Sequence, residues 1–256
     1  MEAIIFILFG LIFGSFLNVV IYRVPLRKSI VSPGSYCPKC NHAVRFYDNI
    51  PVISYILLRG KCRYCKTRIS MIYPIVELFT SFSFYLAWIS FGTQLVYTIF
   101  SLIFLCLIIS LALIDLKHMI LPDEMTIGGS VVFFIYSFFN PNLSTLNGIL
   151  TGIGAFVIFW GIYIFYLKVR KMEGLGQGDI KMVLLLGLFL GVDKFIVTLL
   201  IASFLGLIVG IVVIIIKKKN FQYALPFGTF LSIGGYISLF WGDYILSNIL
   251  CFYQNI

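Results

Sequence analysis

Apolar residues run along this chain in long blocks, without the strict alternation of a strand or the single apolar stripe of a soluble helix. A helix needs about 20 residues to cross a hydrocarbon core of ~30 Å. On that measure the blocks predict eight membrane-spanning helices, over roughly 3–22, 73–91, 95–114, 125–139, 146–167, 180–192, 194–216 and 225–242. The blocks at 125–139 and 180–192 are short, which implies tilt, local thinning or partial burial. No internal repeat and no low-complexity segment interrupts the pattern. One sizeable polar stretch, residues 23–72, separates the first block from the rest. The expected architecture is therefore all-α and polytopic: a first helix at 1–22, a polar loop at 23–72 and a helical bundle at 73–256.

Composition agrees with a lipid environment. The chain is 61% hydrophobic, 17% aromatic and 11% charged, with a mean hydropathy of +1.04, which is not the make-up of a soluble globule. A net charge of +9 would by itself suit nucleic acid, but its distribution points elsewhere. With eight spans, eighteen of nineteen Lys and Arg fall on one side. Ten lie in 23–72, and the others are Lys117, Lys168, Arg170, Lys171, Lys181, Lys217, Lys218 and Lys219, leaving Lys194 alone on the other side. Such a bias makes the crowded side cytoplasmic and the N-terminus external; the basic excess is topology, and nucleic acid is not expected as a partner. The first block opens Met1-Glu2-Ala3 and is followed by Arg23, Arg27 and Lys28, the reverse of a cleavable signal. It is expected to be a retained helix.

The polar loop carries Cys37-Pro-Lys-Cys40 and Cys62-Arg-Tyr-Cys65. Two Cys-x-x-Cys pairs at this separation have the layout of a four-thiolate zinc site, each pair turning two sulfurs toward one point. Lys39, Lys61, Arg63 and Lys66 would offset its excess negative charge. With four protein ligands no position is left for water, so the metal is structural. The rival reading is a pair of disulfides or a redox dithiol, and the cytoplasmic placement of the loop argues against it. Cys106 and Cys251 read as buried small hydrophobes; His42 and His118 stand alone and read as surface residues.

Acids are scarce, so their positions matter. Asp115 closes an apolar block in Leu113-Ile-Asp-Leu-Lys117, and Asp179 opens another in Gly174-Leu-Gly-Gln-Gly-Asp179. An even number of spans between them puts both on the cytoplasmic side. Gly176 and Gly178 permit tight backbone bends and are expected to leave room for an extended peptide beside Asp179. Asp123, after Pro122, is well placed as a helix N-cap. Glu77 has two readings: an acid favoured by a helix N-terminus, or a functional charge inside a span. Within the first helix, Gly14-Ser-Phe-Leu-Asn18 reads as close helix packing, with a hydrogen bond from Asn18 into the site as the alternative.

Peptide hydrolysis needs a water activated as nucleophile and a proton for the leaving nitrogen. Two close carboxyl groups sharing one proton supply both. Such sharing needs short range, so the carboxyls of Asp115 and Asp179 are expected roughly 4–8 Å apart. No Gly-x-Ser-x-Gly, no His-Glu-x-x-His and no evident Cys–His pairing offers another protease chemistry.

Beyond these single features, Gly14-Ser-Phe-Leu-Asn-Val-Val-Ile-Tyr-Arg23, Pro51 to Cys65, Ile69-Ser-Met-Ile-Tyr-Pro-Ile-Val-Glu77 and Gly176-Gln-Gly-Asp179 resemble the bacterial type IV prepilin peptidases over nearly the whole chain. The resemblance implies a multi-pass inner-membrane aspartyl endopeptidase that removes short basic leaders from prepilins and pseudopilins on the cytoplasmic side. It implies Asp115 and Asp179 as the catalytic pair, and Cys37, Cys40, Cys62 and Cys65 as the zinc-binding loop. It also implies, for many members, methylation of the new N-terminus from S-adenosylmethionine, a role linked to that loop; no dedicated methyl-donor motif stands in the sequence. Membrane lipid and prepilin substrates are the expected partners. Two other classes fit some of the same residues: a small transporter using intramembrane acids, and a membrane thiol-redox protein using the Cys pairs.

Overall fold

The computed structural model describes residues 2–140, 144–171, 174–217 and 225–254. The expected outer loop at 140–147 lies partly outside them, as do Lys218 and Lys219. The helices are α1 (Glu2–Arg23), α2 (Ile53–Leu57), α3 (Ile72–Phe91), α4 (Leu95–His118), α5 (Asp123–Ser137), α6 (Thr145–Arg170), α7 (Gln177–Lys217) and α8 (Phe227–Gln254). Among the described residues, extended pairing is limited to two isolated bridges, Tyr36–Ala43 and Lys61–Arg68. Five helices there are long and apolar enough to cross a membrane: Glu2–Leu26, Ile72–Phe91, Leu95–His118, Thr145–Arg170 and Gln177–Ile216.

The chain forms two compact units, Met1–Cys106 and Leu107–Ile256. In the first, α1 and α3 pack antiparallel through small residues. A Cβ on Gly10 would come within 2.5 Å of the Ser81 Cα, and one on Gly14 within 2.7 Å of the Glu77 Cα, so only glycine lets the backbones meet. Polar groups on this seam are satisfied across or within the helices. Ser81 Oγ donates to the Ile7 carbonyl at 2.9 Å, Asn18 Nδ2 to the Tyr73 carbonyl at 3.1 Å, and Thr80 Oγ1 to the Val76 carbonyl at 2.8 Å. Gly14 and Asn18 thus serve helix packing. The opposite face of α1, with Ile4, Leu8, Ile12 and Phe16, is exposed, as suits a helix bathed in lipid.

In the second unit α6 and the first leg of α7 run antiparallel, with Gln177 against Tyr163 at one end and Val192 against Asn147 at the other. At the seam's closest point a Cβ on Gly187 would lie 2.7 Å from the Gly152 Cα. The α7 helix breaks at Gly191, at φ 70° and ψ 175°, a conformation an L side chain resists. The second leg then returns. Lys194 meets Asp243 in the second half of α8, while Gly206 lies against Phe230 near its start. The expected helices at 180–192 and 194–216 are these two legs. The α5 helix packs along the first leg through Phe133 and Phe189.

Two expectations change. The last helix, expected over roughly 225–242, runs on to Gln254. Asp243 lies within that helix, its carboxylate 3.1 Å from the Lys194 ammonium. Asp123 is not the cap of α5. Pro122 occupies the N-cap position, and Asp123, in the first turn, pairs with Lys181 at 2.6 Å.

Candidate functional site

The second unit brings two of its acids, Asp115 and Asp179, to one end. Asp115 lies in the last turn of α4 and is 5% exposed. Its Oδ2 accepts the backbone N–H of Thr229 at 2.7 Å and faces the Thr229 hydroxyl at 3.0 Å. The same hydroxyl lies 3.2 Å from the Ala112 carbonyl, so α8 is tied to the α4 end through one side chain. Asp179, half-buried in the first turn of α7, lies against the backbone of Gly176 and Gly228 and within range of the Asp115 charge. Both carboxyls therefore converge on consecutive residues, Gly228 and Thr229, where the free N–H groups of a helix start favour negative charge.

Glycine makes this end possible. A Cβ on Gly176 would lie 2.8 Å from the Asp179 Oδ2, one on Gly178 2.9 Å from the Leu121 Cβ, and one on Gly228 3.1 Å from the Asp115 Oδ2. Gln177, between the first two, donates to Tyr163 Oη at 3.0 Å and fixes the entry to α7. Lys117, beside Asp115 in sequence, is exposed; the partner of Asp115 is Thr229. Thr229 is the residue sequence reading missed. Its signal was local, a Thr two residues into a helix begun by Pro226-Phe-Gly, but nothing in the chain announces that the helix start meets an acid 114 positions earlier.

The first unit holds the cysteines. The two knuckles repeat one design. Cys37 N–H donates to the His42 carbonyl at 2.9 Å and Cys62 N–H to the Thr67 carbonyl at 2.8 Å, while Asn41 and Lys66 each donate back to the first cysteine's carbonyl. Asn41 and Lys66 take left-handed φ values of 54° and 57°, which turns each pair of sulfurs inward. All four sulfurs lie within 4.8 Å of one another, with Cys37–Cys65 at 3.8 Å and Cys40–Cys62 at 4.0 Å. A tetrahedron with ~2.3 Å metal–sulfur bonds has edges of about 3.8 Å, so the cluster fits a metal ion.

Electrostatics agrees. Hydrogen bonding from the Thr67 hydroxyl and backbone brings the Cys65 thiol down to about 6. At Cys40 the His42 backbone favours the thiolate, yet burial and the three neighbouring sulfurs outweigh it and push that thiol up to about 11. Four thiolates this close need a cation among them. Around the knuckles, Arg63 grips Asp48 through two hydrogen bonds of 2.8 and 2.6 Å and holds its carboxyl below the ordinary range. His42 stacks on Tyr64 with ring centroids 4.0 Å apart. Glu77 is buried, and its Oε2 accepts the Val52 N–H at 2.7 Å. It ties the loop to α3.

Fold and side-chain clusters together define a polytopic helical membrane protein with a carboxylate pair in one unit, Asp115 buried and Asp179 half-buried, and a four-cysteine cluster in the other. The bacterial peptidase A24 N-terminal domain matches residues 8–91, and the type IV leader peptidase family matches residues 102–211. Similar proteins include three named prepilin leader peptidase/N-methyltransferase. The one from Legionella pneumophila is 35% identical over 94% of this chain and 91% of its own length. That from Pseudomonas putida is 33% identical over 93% and 90%, and that from Neisseria gonorrhoeae 33% over 89% and 86%. The chain belongs to the type IV leader peptidase family. No solved structure matches it.

Proposed function

We propose that this protein is an inner-membrane aspartyl endopeptidase that cuts the short basic leader from type IV prepilins and pseudopilins, and that it methylates the new N-terminus. The observation that carries the first activity is the convergence of Asp115 and Asp179 on Gly228 and Thr229. The names of the relatives support both activities. One carboxylate takes a proton from water as its oxygen attacks the scissile carbonyl carbon. The protonated partner donates to the carbonyl oxygen. Collapse of the tetrahedral intermediate breaks the C–N bond, and a proton from the pair goes to the leaving nitrogen. The pair acts as a unit, so neither Asp is assigned one role throughout.

Eight crossings fit this reading, because the reversal at Gly191 returns the chain to the end that holds Asp115 and Asp179. That end faces the cytoplasm by the distribution of Lys and Arg. A prepilin with a basic leader followed by an apolar segment would present its scissile bond there. Gly176 and Gly178 let Asp179 and Leu121 pack closely against the start of α7, which positions Asp179 there. In the loop, Cys37, Cys40, Cys62 and Cys65 hold a structural Zn²⁺, which supplies folding energy and no open coordination position.

The test is cleavage of a prepilin by the purified protein in lipid, compared with Asp115→Asn and Asp179→Asn. Loss in both with the fold retained supports the pair. Near-normal turnover in either removes that residue from the mechanism.

A further inference from the structure

The loop between α1 and α3 is rich in charge, yet several large apolar side chains stand exposed in one segment of it. Phe46 is 86% exposed, Ile56 66% and Leu57 77%, and Ile50 and Ile53 are exposed beside them. Ile53, Ile56 and Leu57 fall at i, i+3 and i+4 of α2, so they share one face of that short helix. Its other side is fixed to the loop. Ser54 is buried and its Oγ donates to the Tyr47 carbonyl at 2.9 Å, while Tyr55 Oη donates to the Ile69 carbonyl at 3.2 Å. The apolar face cannot roll inward without breaking those bonds. Exposed apolar side chains gathered in this way mark a partner or a membrane.

Three observations point to a membrane. The first is depth. The Val52 N–H, just before α2, donates to Glu77 at 2.7 Å. Glu77 lies five residues past Ile72, the first residue of α3, which is about 7.5 Å along the helix axis. Since α3 is long and apolar enough to cross a membrane, α2 starts alongside a span and not beyond its end. Over the same stretch α3 exposes Ile72, Ile75 and Leu78. The second is tethering, because the loop joins two such helices, α1 at Arg23 and α3 at Ile72. The third is charge. Residues 23–72 hold ten Lys and Arg against one acid, Asp48, and Arg63 pairs with that acid. Arg59 and Lys61, just after α2, are exposed.

We propose that residues 46–57 form an interfacial anchor. Their apolar side chains enter the cytoplasmic leaflet at the headgroup boundary, and the cations around them rest on anionic lipid headgroups. The anchor holds the four-cysteine loop against the membrane. It needs neither the peptidase nor the methylation reading, and takes from the proposed function only the orientation read from Lys and Arg.

The experiment places the full-length, zinc-loaded protein in vesicles of phosphatidylcholine and phosphatidylglycerol, with a photoreactive benzophenone side chain at Leu57 or at Ile53. Irradiation is expected to give lipid adducts at both positions, with phosphatidylglycerol enriched several-fold over its share of the vesicle. Arg59→Gln combined with Lys61→Gln should lower that enrichment and leave the adducts in place. Adducts to other parts of this chain or to a second copy, in place of lipid, overturn the proposal. Lipid adducts that only mirror the vesicle composition overturn the pairing with anionic headgroups.

The unaltered protein gives a second reading, free of any modified side chain. Under hydroxyl-radical oxidation in the same vesicles, Phe46, 86% exposed, should react several-fold more slowly than Tyr64, which is 39% exposed on the second knuckle. Both rings are reactive and Phe46 is the more open, so only a covering of lipid sets that order. Oxidation of Phe46 as fast as that of Tyr64 overturns the proposal. Both leaflets of the vesicles carry the same lipids, so the anchor is tested apart from the orientation.

Discussion

The cysteine cluster and the aspartate pair are built on opposite plans. Each cysteine knuckle closes within six residues, from Cys37 to His42 and from Cys62 to Thr67, and the two knuckles meet across a short stretch of chain. The aspartates lie on different helices and are held by a third, with Thr229 reaching Asp115 across 114 positions. The first site has a cluster of sulfurs that fits a metal ion and lies in a loop too polar to bury a core. The second gets its order from helix packing, which leaves its acids free for chemistry. Local geometry fitted to a metal and long-range geometry held by packing should fail in different ways.

The largest effect expected is at the metal. Structural zinc contributes about 10–16 kcal/mol of apparent binding free energy in small zinc-finger peptides at neutral pH. Stripping it with a chelator, or Cys62→Ser, should open residues 23–72 to proteolysis while the helices of the second unit keep their circular dichroism. Elemental analysis of fresh, reduced protein should give one zinc per chain. Collapse of both units together on zinc removal would end the comparison.

Next in size is the aspartate pair. Asp115→Asn and Asp179→Asn should each lower prepilin cleavage by about 10²–10⁴-fold, the usual worth of acid–base catalysis. Zinc content and thermal stability should stay near wild type. The pattern is the mirror of the first prediction: chemistry lost with order kept.

Thr229 lies between these extremes, since it carries order and acts on the chemistry. Its hydroxyl faces an acid at 3.0 Å, and a hydrogen bond to a charged group is worth ~1.5–3 kcal/mol. Thr229→Val should slow cleavage about 10- to 100-fold and shift the pH profile of kcat, with Thr229→Ser restoring both. A change in KM alone would mean that Thr229 does not act through Asp115.

The two plans also explain what could be read from the chain. The knuckles were legible because their spacing is the geometry: two residues between cysteines fix the turn. Asp115 and Asp179 were legible because acids in so apolar a chain stand out at block edges, and span parity put them on one side. Thr229 was not, because a threonine near a helix start has many ordinary uses. The cap on α5 was misjudged because Pro122 and Asp123 both suit a helix start and only tertiary contact with Lys181 decides between them. Local rules fail where a distant partner changes the meaning of a charge.

The smallest effect tests whether the second unit is uniform. At the end away from the aspartates, α7 breaks at Gly191 and the first N–H of the returning leg, on Val192, is left without a helical acceptor. Asn147 Oδ1 takes it at 3.0 Å, a capping bond supplied across the seam by α6. Asn147→Ala should therefore cost about 0.5–2 kcal/mol, as the loss of a cap does. It should appear as a lower unfolding temperature in lipid and faster amide exchange in the turn at 191–194. Cleavage should not change, because the substitution leaves the Gly228–Thr229 contacts untouched. A variant that loses cleavage along with stability would mean that the reversal at Gly191 sets the position of Asp179 through the whole first leg. The active end would then depend on the far turn as much as on its own contacts.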